Sequence, residues 1–365
     1  MIDLNICKLG HQSYVEIMKH KQNRKDIGSM NLRRFAMIPA IILLLLPGCS
    51  VREISTLPAQ QITVGAGPED MVTDPTGETP RLLISCTARR ESQEPFGEIV
   101  TYTPSMGLVD TLTRTGMPDS LYFQPHGIFL DSEPDPPLLY AISHEHDEGF
   151  HPVYTWEVHD TALVFYELIT SELLHSPNAL TMGVNGELYV VNDAGKRNSM
   201  MEKIFRLNRA NIIRLEKNTT GKWEAAVAAE GLGLPAGINR IGSTLYAGDA
   251  VNHILHVYEI IGNELVARKP VAGLRGNDNI RVIDQKLYTT GHIKPLKFVA
   301  HTQSQNKKSP VEAWEYDPAS EKITSLYYTD GSNISAGSTA LMLNGTLYIS
   351  QVFEPFILKV DLPGK

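Results

Sequence analysis

Cysteine is scarce in this sequence, with only Cys7, Cys49 and Cys86 among 365 residues. So few thiols exclude the disulfide framework of a small secreted scaffold, and neither Cys-x-x-Cys nor His-Glu-x-x-His is present to indicate a zinc site. A Gly-x-Ser-x-Gly elbow is also missing, so the chain lacks the signature of an α/β-hydrolase serine nucleophile. Because the net charge is -8 and no basic stripe opposes it, nucleic acid is not an expected partner.

Long apolar runs are also rare, and the one near the N-terminus is short. It lies in "FAMIPAIILLLLPGCS" after Arg33 and Arg34, and holds about a dozen apolar residues where a membrane-spanning helix needs roughly 20. A basic pair before a short apolar run is typical of a secretory signal, and an uncleaved signal anchor is the alternative. We predict a signal region over residues 1–49, in which Met30 is an alternative start that would make 1–29 an over-extension.

The residues that end this run predict a lipid anchor. Gly48 and Cys49 resemble the lipobox of bacterial lipoproteins, in which the cysteine is acylated and becomes the mature N-terminus. Ser50, rather than Asp, after this cysteine favours sorting to the outer membrane. We therefore expect an exported envelope lipoprotein that is tethered to the membrane and faces the periplasm or the exterior. If Cys7 is removed and Cys49 is acylated, Cys86 is left alone and the protein folds without a disulfide.

After a short linker over 50–60, the chain repeats itself weakly. Six similar segments align on leucines that are 57, 49, 57, 42 and 60 residues apart, namely Leu82, Leu139, Leu188, Leu245, Leu287 and Leu347. A period of roughly 40–60 residues with short strands and turn signals is typical of β-propeller blades. Helical periodicity is plausible only over 198–216, as a lid or a β-insertion. We predict an all-β, six-bladed propeller over 61–365; a pair of β-sandwiches is the alternative, but it does not explain six similar units.

Polar side chains recur just before the predicted inner strands. They are Glu69, Asp70, His126, Asn178, Asp278, Asn279, Ser338 and Thr339. Because the inner strands of a propeller surround one channel, we expect residues at matching blade positions to converge on its axis. Carboxylate and amide oxygens suit Ca²⁺ rather than zinc. For any single residue the alternative is an Asx turn before a strand, and the matching positions weaken that alternative.

Nine short motifs in register resemble the serum paraoxonase (arylesterase) family. In order they are "GPEDMV", "QPHGI", "SHEHD", "SPNALTMG", "AGIN", "NHILHVYE", "NDNIRV", "TGH" and "AGSTALMLNGTLYISQVF", and together they span nearly all of residues 60–363. The family belongs to the six-bladed propellers, and its members are calcium-dependent hydrolases of lactones and aryl esters. One calcium lies at the channel mouth and a second is buried in the channel. The resemblance implies the same fold, cation and reaction here.

The resemblance also implies which residues hold these two ions. Four residues match the ligands of the catalytic calcium: Glu69, Asn178, Asp278 and Asn279. Asp70 and the backbone carbonyl of Ile128 match ligands of the buried calcium. Adjacent side chains on a strand point to opposite faces. Glu69 and Asp70 would therefore each face a different cation, which would offset their mutual repulsion.

Two positions depart from the family pattern. Ala179 stands where the family has Asp after Asn, so the buried site loses a carboxylate. Ala236 stands where the family has the first Asn of Asn-Gly-Ile-Asn, so the catalytic site loses an amide. Ca²⁺ takes six to eight oxygens, and water can replace one missing ligand. We expect the catalytic site at the channel mouth, the upper site, to persist. We expect the buried site, the lower one, to be weak or absent. The family disulfide cannot form, because no cysteine follows Cys86.

Four histidines match family positions. His126 matches the histidine proposed to activate water and His144 its partner, while His253 and His292 match residues that line the substrate pocket. The alternatives for His126 are a structural histidine bonded to backbone and a site in which Glu69 activates the water instead.

These observations favour a calcium-dependent hydrolase of small-molecule lactones or aryl esters, with no protein partner predicted. Two other readings stay open. The losses at Ala179 and Ala236 favour a non-catalytic ligand-binding propeller with a degraded metal site. A sugar-lactone hydrolase, as among the gluconolactonases, is the third reading, and the pair of His126 and His144 favours paraoxonase-like chemistry over it.

Overall fold

The structure is a computed structural model, which describes residues 53–90, 96–144, 151–195 and 207–363. Short apolar or alternating runs, bounded by Gly, Pro, Asn or Asp, form strands. The strands build six sheets of four or five strands, mainly antiparallel, with sequential strands lying side by side. The predicted six-bladed β-propeller is therefore confirmed.

The strands follow in chain order. β1 is Ala59–Thr63; blade 1 contains β2 (Pro68–Asp74), β3 (Arg81–Thr87), β4 (Gly97–Thr103) and β5 (Leu108–Thr111); blade 2 contains β6 (Thr113–Thr115), β7 (Pro125–Asp131), β8 (Leu138–Ser143), β9 (Val153–Val158) and β10 (Ala162–Ile169). Blade 3 contains β11 (Pro177–Met182), β12 (Leu188–Asn192), β13 (Ala210–Lys217) and β14 (Trp223–Leu232); blade 4 contains β15 (Pro235–Ile241), β16 (Thr244–Asp249), β17 (Ile254–Ile261), β18 (Glu264–Ala267) and β19 (Val271–Ala272). Blade 5 contains β20 (Asn277–Ile283), β21 (Lys286–Gly291), β22 (Val311–Asp317) and β23 (Lys322–Thr329), with helix α1 (Pro295–Gln303) after β21. Blade 6 contains β24 (Gly337–Leu343), β25 (Thr346–Gln351) and β26 (Phe356–Asp361), with β1 as its fourth strand.

The ends of the propeller are joined in blade 6. β1 pairs antiparallel with β26, from Ala59 opposite Val360 to Thr63 opposite Phe356. The first strand of the chain thus completes the last sheet, so the ring is closed by backbone hydrogen bonds. The first propeller strand begins at Ala59, two residues before the expected boundary at 61.

The innermost strands surround a channel. Each of β2, β7, β11, β15, β20 and β24 contacts the innermost strand of the blade on either side, so the six close into a ring. The repeated leucine segments form the second strand of each blade. Apolar side chains pack between neighbouring sheets: Leu83 and Ile99 of blade 1, for example, share a buried cluster with Ile128 and Trp156 of blade 2. The core therefore lies between blades and leaves the channel for polar residues.

The segment 198–216 contains strand rather than helix where it is described. β13 begins at Ala210 and pairs with β12 and β14, which supports the reading as a β-insertion for that part. Residues 196–206 lie outside the described ranges.

The signal region and its lipobox cysteine Cys49 also lie outside the described residues, as does Cys7, so the lipid anchor stays a prediction. Cys86 on β3 is a buried free thiol, and burial raises its pKa to about 12. Over the described ranges, no helix is both long and apolar enough to cross a membrane.

Asp249 ends β16 and is a fully buried carboxylate with several hydrogen-bond donors. It accepts hydrogen bonds from the backbone N–H groups of Gly233 (2.8 Å) and Asn252 (3.1 Å), from the Asn252 side chain (2.9 Å) and from His256 Nε2 (3.1 Å). Burial by itself raises the pKa of Asp249, but these donors outweigh it and lower the pKa well below its usual range.

Asp249→Asn is therefore expected to lower the free energy of unfolding at pH 7 by about 1–3 kcal/mol, because the donors lose their charged acceptor. The folded-state pKa lies below the unfolded value of about 3.9. The carboxylate thus stabilises the fold fully above about pH 4 and loses this effect as the pH falls through the folded-state pKa. Urea titrations between pH 7 and pH 3 should show the gap between wild type and variant beginning to narrow below about pH 4. Asp119→Asn, at an exposed position, is the control; a gap that does not change with pH would contradict the assignment.

Candidate active site

All six innermost strands are irregular at the same place, near their first residues. The pairing with the second strand shifts register between Pro68 and Asp70, and at the equivalent points of the other blades, between 125 and 128, 177 and 179, 235 and 238, 277 and 280, and 337 and 340. A bulge of this kind re-aims side chains out of the regular pleat. Most of the predicted polar residues lie inside these six shifts, within the strands rather than just before them.

Glycines let neighbouring bulges approach each other. A Cβ atom at Gly127 would lie 2.2 Å from the carbonyl oxygen of Asn178, and one at Gly237 would lie 2.4 Å from that of Asp278. Any larger residue would push the adjacent inner strands apart. These close approaches bring the bulges of blades 2 and 3, and of blades 4 and 5, together at the channel.

Glu69 lies in the bulge of β2 in blade 1, and its carboxylate is buried. Its Oε2 atom lies 2.7 Å from Arg89 Nη2 and contacts His126 Nδ1. Its backbone carbonyl accepts a hydrogen bond from the Ser350 hydroxyl at 2.6 Å. Burial raises the pKa of Glu69, and the positive charge of Arg89 opposes this shift. The side chain is held from two sides and points toward blade 2.

Asp278 and Asn279 form the matching cluster of blade 5. Ser338 Oγ donates to Asp278 Oδ2 at 3.0 Å and accepts from Asn279 Nδ2 at 3.1 Å, which links both residues to blade 6. His292 Nε2 lies 3.1 Å from the same Asp278 oxygen. Burial raises the pKa of Asp278, against the hydrogen bond from His292, and the charge of Glu69 adds to the increase. The carboxylates of Glu69 and Asp278 therefore lie close enough for their negative charges to interact.

Three amide oxygens at the bulges stand out among the described residues. Asn178 Oδ1, Asn277 Oδ1 and Asn279 Oδ1 are buried and have no hydrogen-bond partner, and two of them belong to predicted metal ligands, Asn178 and Asn279. A buried polar atom without a partner costs about 1–3 kcal/mol, so such atoms usually bind a water molecule or an ion. Within the described ranges, no three His, Cys, Asp or Glu side chains gather closely enough to hold a metal by themselves. Any cation site here must combine the two carboxylates with amide oxygens.

The two histidines predicted to act as a pair, His126 and His144, lie together with their rings stacked. The ring centres of His126 and His144 lie 4.0 Å apart with the planes at 27°, and the ring centre of His151 lies 4.7 Å from that of His144. His144 Nε2 lies 2.6 Å from the carbonyl oxygen of Pro177. Burial, followed by the neighbouring His126 and His151, lowers the pKa of His144 well below its usual range. His144 is thus a neutral ring that donates from Nε2 and orients His126.

The two histidines assigned to the pocket have different surroundings. His292 contacts Asp278, and its ring centre lies 4.0 Å from that of Phe298 in α1. His253 instead accepts a hydrogen bond from the backbone N–H of Gly276 at 3.3 Å. His292 is therefore part of the cluster, while His253 supports the loop that leads into β20.

Asp70 and Ile128 lie deeper, on the strands of Glu69 and His126. Asp70 Oδ2 accepts a hydrogen bond from the backbone N–H of Ile128 at 2.8 Å and contacts Arg281 Nη2, which also reaches the carbonyl oxygen of Ile128 at 3.1 Å. Sequence reasoning missed two cations that contact the predicted ligands, Arg281 and Arg89. A charged residue inside "NDNIRVI" was the available signal for the first, because a strand that lines a packed channel holds an arginine only when it is paired.

Comparison with known proteins gives one family and a shared fold. A family model described as Arylesterase matches residues 98–359. The chain is 25% identical over 250 residues to serum paraoxonase/arylesterase 1 of Rattus norvegicus, covering 65% of this chain and 68% of that protein, and 24% identical over 245 residues to the Mus musculus protein, covering 64% and 67%.

Similar solved structures include a luciferin-regenerating enzyme (TM-score 0.52, 10% identity, 84% of this chain and 96% of that one). Another is the PQQ-bound aldose sugar dehydrogenase of Streptomyces coelicolor (TM-score 0.52, 12% identity, 83% and 98%). At these identities the likeness shows the fold alone.

Proposed function

The chain belongs to the arylesterase family, and on this premise we propose that it is a calcium-dependent hydrolase of aryl esters or lactones. The family match covers most of the propeller, and the mammalian relatives carry the names paraoxonase and arylesterase, which supports an ester or lactone hydrolase. One structural observation carries the calcium part: buried carboxylates and partnerless buried amide oxygens occupy equivalent bulges of separate blades around one channel.

The donor set fits a hard cation. Glu69 and Asp278 supply negative charge, while Asn178 and Asn279 offer amide oxygens that no described residue engages. Ca²⁺ prefers six to eight oxygen ligands, so water would complete the shell where Ala236 brings no amide. A bound calcium ion would supply Lewis-acid polarisation of the ester or lactone carbonyl.

The residues of the chain would position the attacking water. His126 directs Nδ1 to Glu69 Oε2, so a proton on Nδ1 leaves Nε2 as the basic nitrogen that takes the proton from water. His144 stacks on this ring and stays neutral, which avoids two adjacent positive charges when His126 is protonated. Arg89 holds the other side of the Glu69 carboxylate. Glu69 thus orients the histidine as well as facing the cation.

Hydrolysis assays test the proposal directly. We expect turnover of phenyl acetate or of at least one aliphatic lactone, loss of that activity in EGTA, and recovery when calcium is returned in excess. Magnesium in place of calcium is the matched control, since it demands a tighter octahedral shell. Glucono-lactone in the same panel tests the sugar-lactone reading.

The same assay distinguishes the proposed function from a metal-independent mechanism and from a non-catalytic propeller. Activity that persists in EGTA would exclude the metal mechanism. A protein that binds calcium but turns over none of the substrates would favour the ligand-binding propeller.

A further inference from the structure

We infer that the Arg281 guanidinium occupies the place of the second, buried cation, so that this protein holds one metal ion in its channel rather than two. The inference rests on the proposed function for the upper ion only. It concerns the lower part of the channel, where Asp70 and the carbonyl of Ile128 match the ligands of the buried calcium.

The Asp70 carboxylate is already saturated. The residue is fully buried, and its Oδ2 atom receives Arg281 Nη2 and the backbone N–H of Ile128 (2.8 Å). Its Oδ1 atom receives the hydroxyl of Thr339 (2.8 Å) and the backbone N–H of Met71 (2.9 Å). A carboxylate has about four lone-pair sites, and all of them are used. A metal ion could bind Asp70 only by displacing one of these donors.

One nitrogen atom spans the two oxygens that a buried cation would need. Arg281 Nη2 contacts Asp70 Oδ2 and lies 3.1 Å from the carbonyl oxygen of Ile128. The side chain of Arg281 is itself buried, so the guanidinium is enclosed among these acceptors rather than resting at the surface. The contacts expected of a cation at this point are therefore made by the protein.

The charge balance agrees with this assignment. Ala179 supplies no carboxylate, so Asp70 is the acidic residue left of the expected pair. One guanidinium charge neutralises one carboxylate, whereas a divalent ion beside Asp70 alone would leave an excess positive charge in a buried site. The guanidinium keeps its charge at any ordinary pH and cannot be chelated. Asp70 is thus fixed in the same way in the presence and absence of calcium.

Metal counting tests the inference without reference to activity. Isothermal titration of chelator-treated protein with calcium, with elemental analysis of the purified complex, should give one ion per chain. Combining Ala179→Asp with Arg281→Ser removes the guanidinium and returns a carboxylate, and should raise the count to two. Ala179→Asp alone, the matched control, should leave it unchanged because Arg281 stays in place.

The outcomes distinguish this inference from the proposed function. Two ions in the wild-type protein, or no added ion in a double variant that circular dichroism shows to be folded, would overturn the role of Arg281. No ion in the wild type but one in the double variant would support Arg281 and contradict the upper site. The wild-type count stands as a test even if the double variant does not fold.

Discussion

Glu69→Gln is expected to lower kcat/KM for the best substrate by about 10³-fold or more while the protein remains folded. The amide keeps the shape of the side chain but removes the negative charge that would face the cation. It also removes the carboxylate that Nδ1 of His126 contacts. The substitution therefore removes two contributions to transition-state stabilisation. Initial rates with and without added calcium measure the loss of activity, and calcium titration measures the loss of metal affinity.

A second substitution separates the two roles of Glu69. His126→Gln removes only the proposed base, so it should reduce kcat and leave calcium uptake intact, whereas Glu69→Gln should weaken both. Glu315→Gln is the matched control, because Glu315 is a buried glutamate of β22 that pairs with Lys286 (3.0 Å) and Tyr288 (2.9 Å). More than a tenth of wild-type activity in Glu69→Gln would contradict both roles.

The blade count could be predicted from the sequence because each second strand carries the same local pattern of a turn, apolar residues and a polar end. That pattern is short-range, and segments such as "NGELYVVND" and "NGTLYISQV" contain it completely. The closure by β1 has no comparable local signal, since its partner β26 lies almost 300 residues later in the sequence. Pairing at such a distance depends on the closed ring rather than on either segment alone.

The predicted polar residues before the inner strands were found by their matching positions, and His144, His253, His292 and Ile128 by the family resemblance, but their surroundings could not be predicted. The polar residues lie inside the inner strands because each strand shifts register there, and the shift depends on how closely the neighbouring blade approaches. The contact of Gly127 with the carbonyl of Asn178 is one such long-range condition. Likewise, the stacking of His126 on His144 could not be distinguished by sequence from a hydrogen-bonded pair.

The pairing of Arg281 with Asp70 could not be predicted from the sequence. Arg281 lies 211 residues from Asp70 in the sequence, and the two meet because blades 1 and 5 face the same channel. The loss of a carboxylate at Ala179 predicted a weak lower site, but nothing local indicated what would neutralise Asp70 instead. A compensating charge that arrives from another blade becomes visible only in three dimensions.

Arg281→Met is expected to lower the free energy of unfolding by about 3–5 kcal/mol, because it leaves Asp70 as a buried charge without its partner. Arg214→Met is the matched control: Arg214 pairs with the partly exposed Glu216, and loss of such a pair costs about 1 kcal/mol or less. Urea denaturation of both variants in EGTA and in saturating calcium measures the difference.

Two further results bear on the cause of this loss. Adding Asp70→Asn to Arg281→Met should cost less than the sum of the single substitutions, since the second change removes the charge that the first left unpaired. The loss in Arg281→Met should also be similar with and without calcium, because the pair of Arg281 and Asp70 does not include the ion. A cost no larger than that of Arg214→Met in both conditions would contradict the role of Arg281 as the partner that neutralises Asp70.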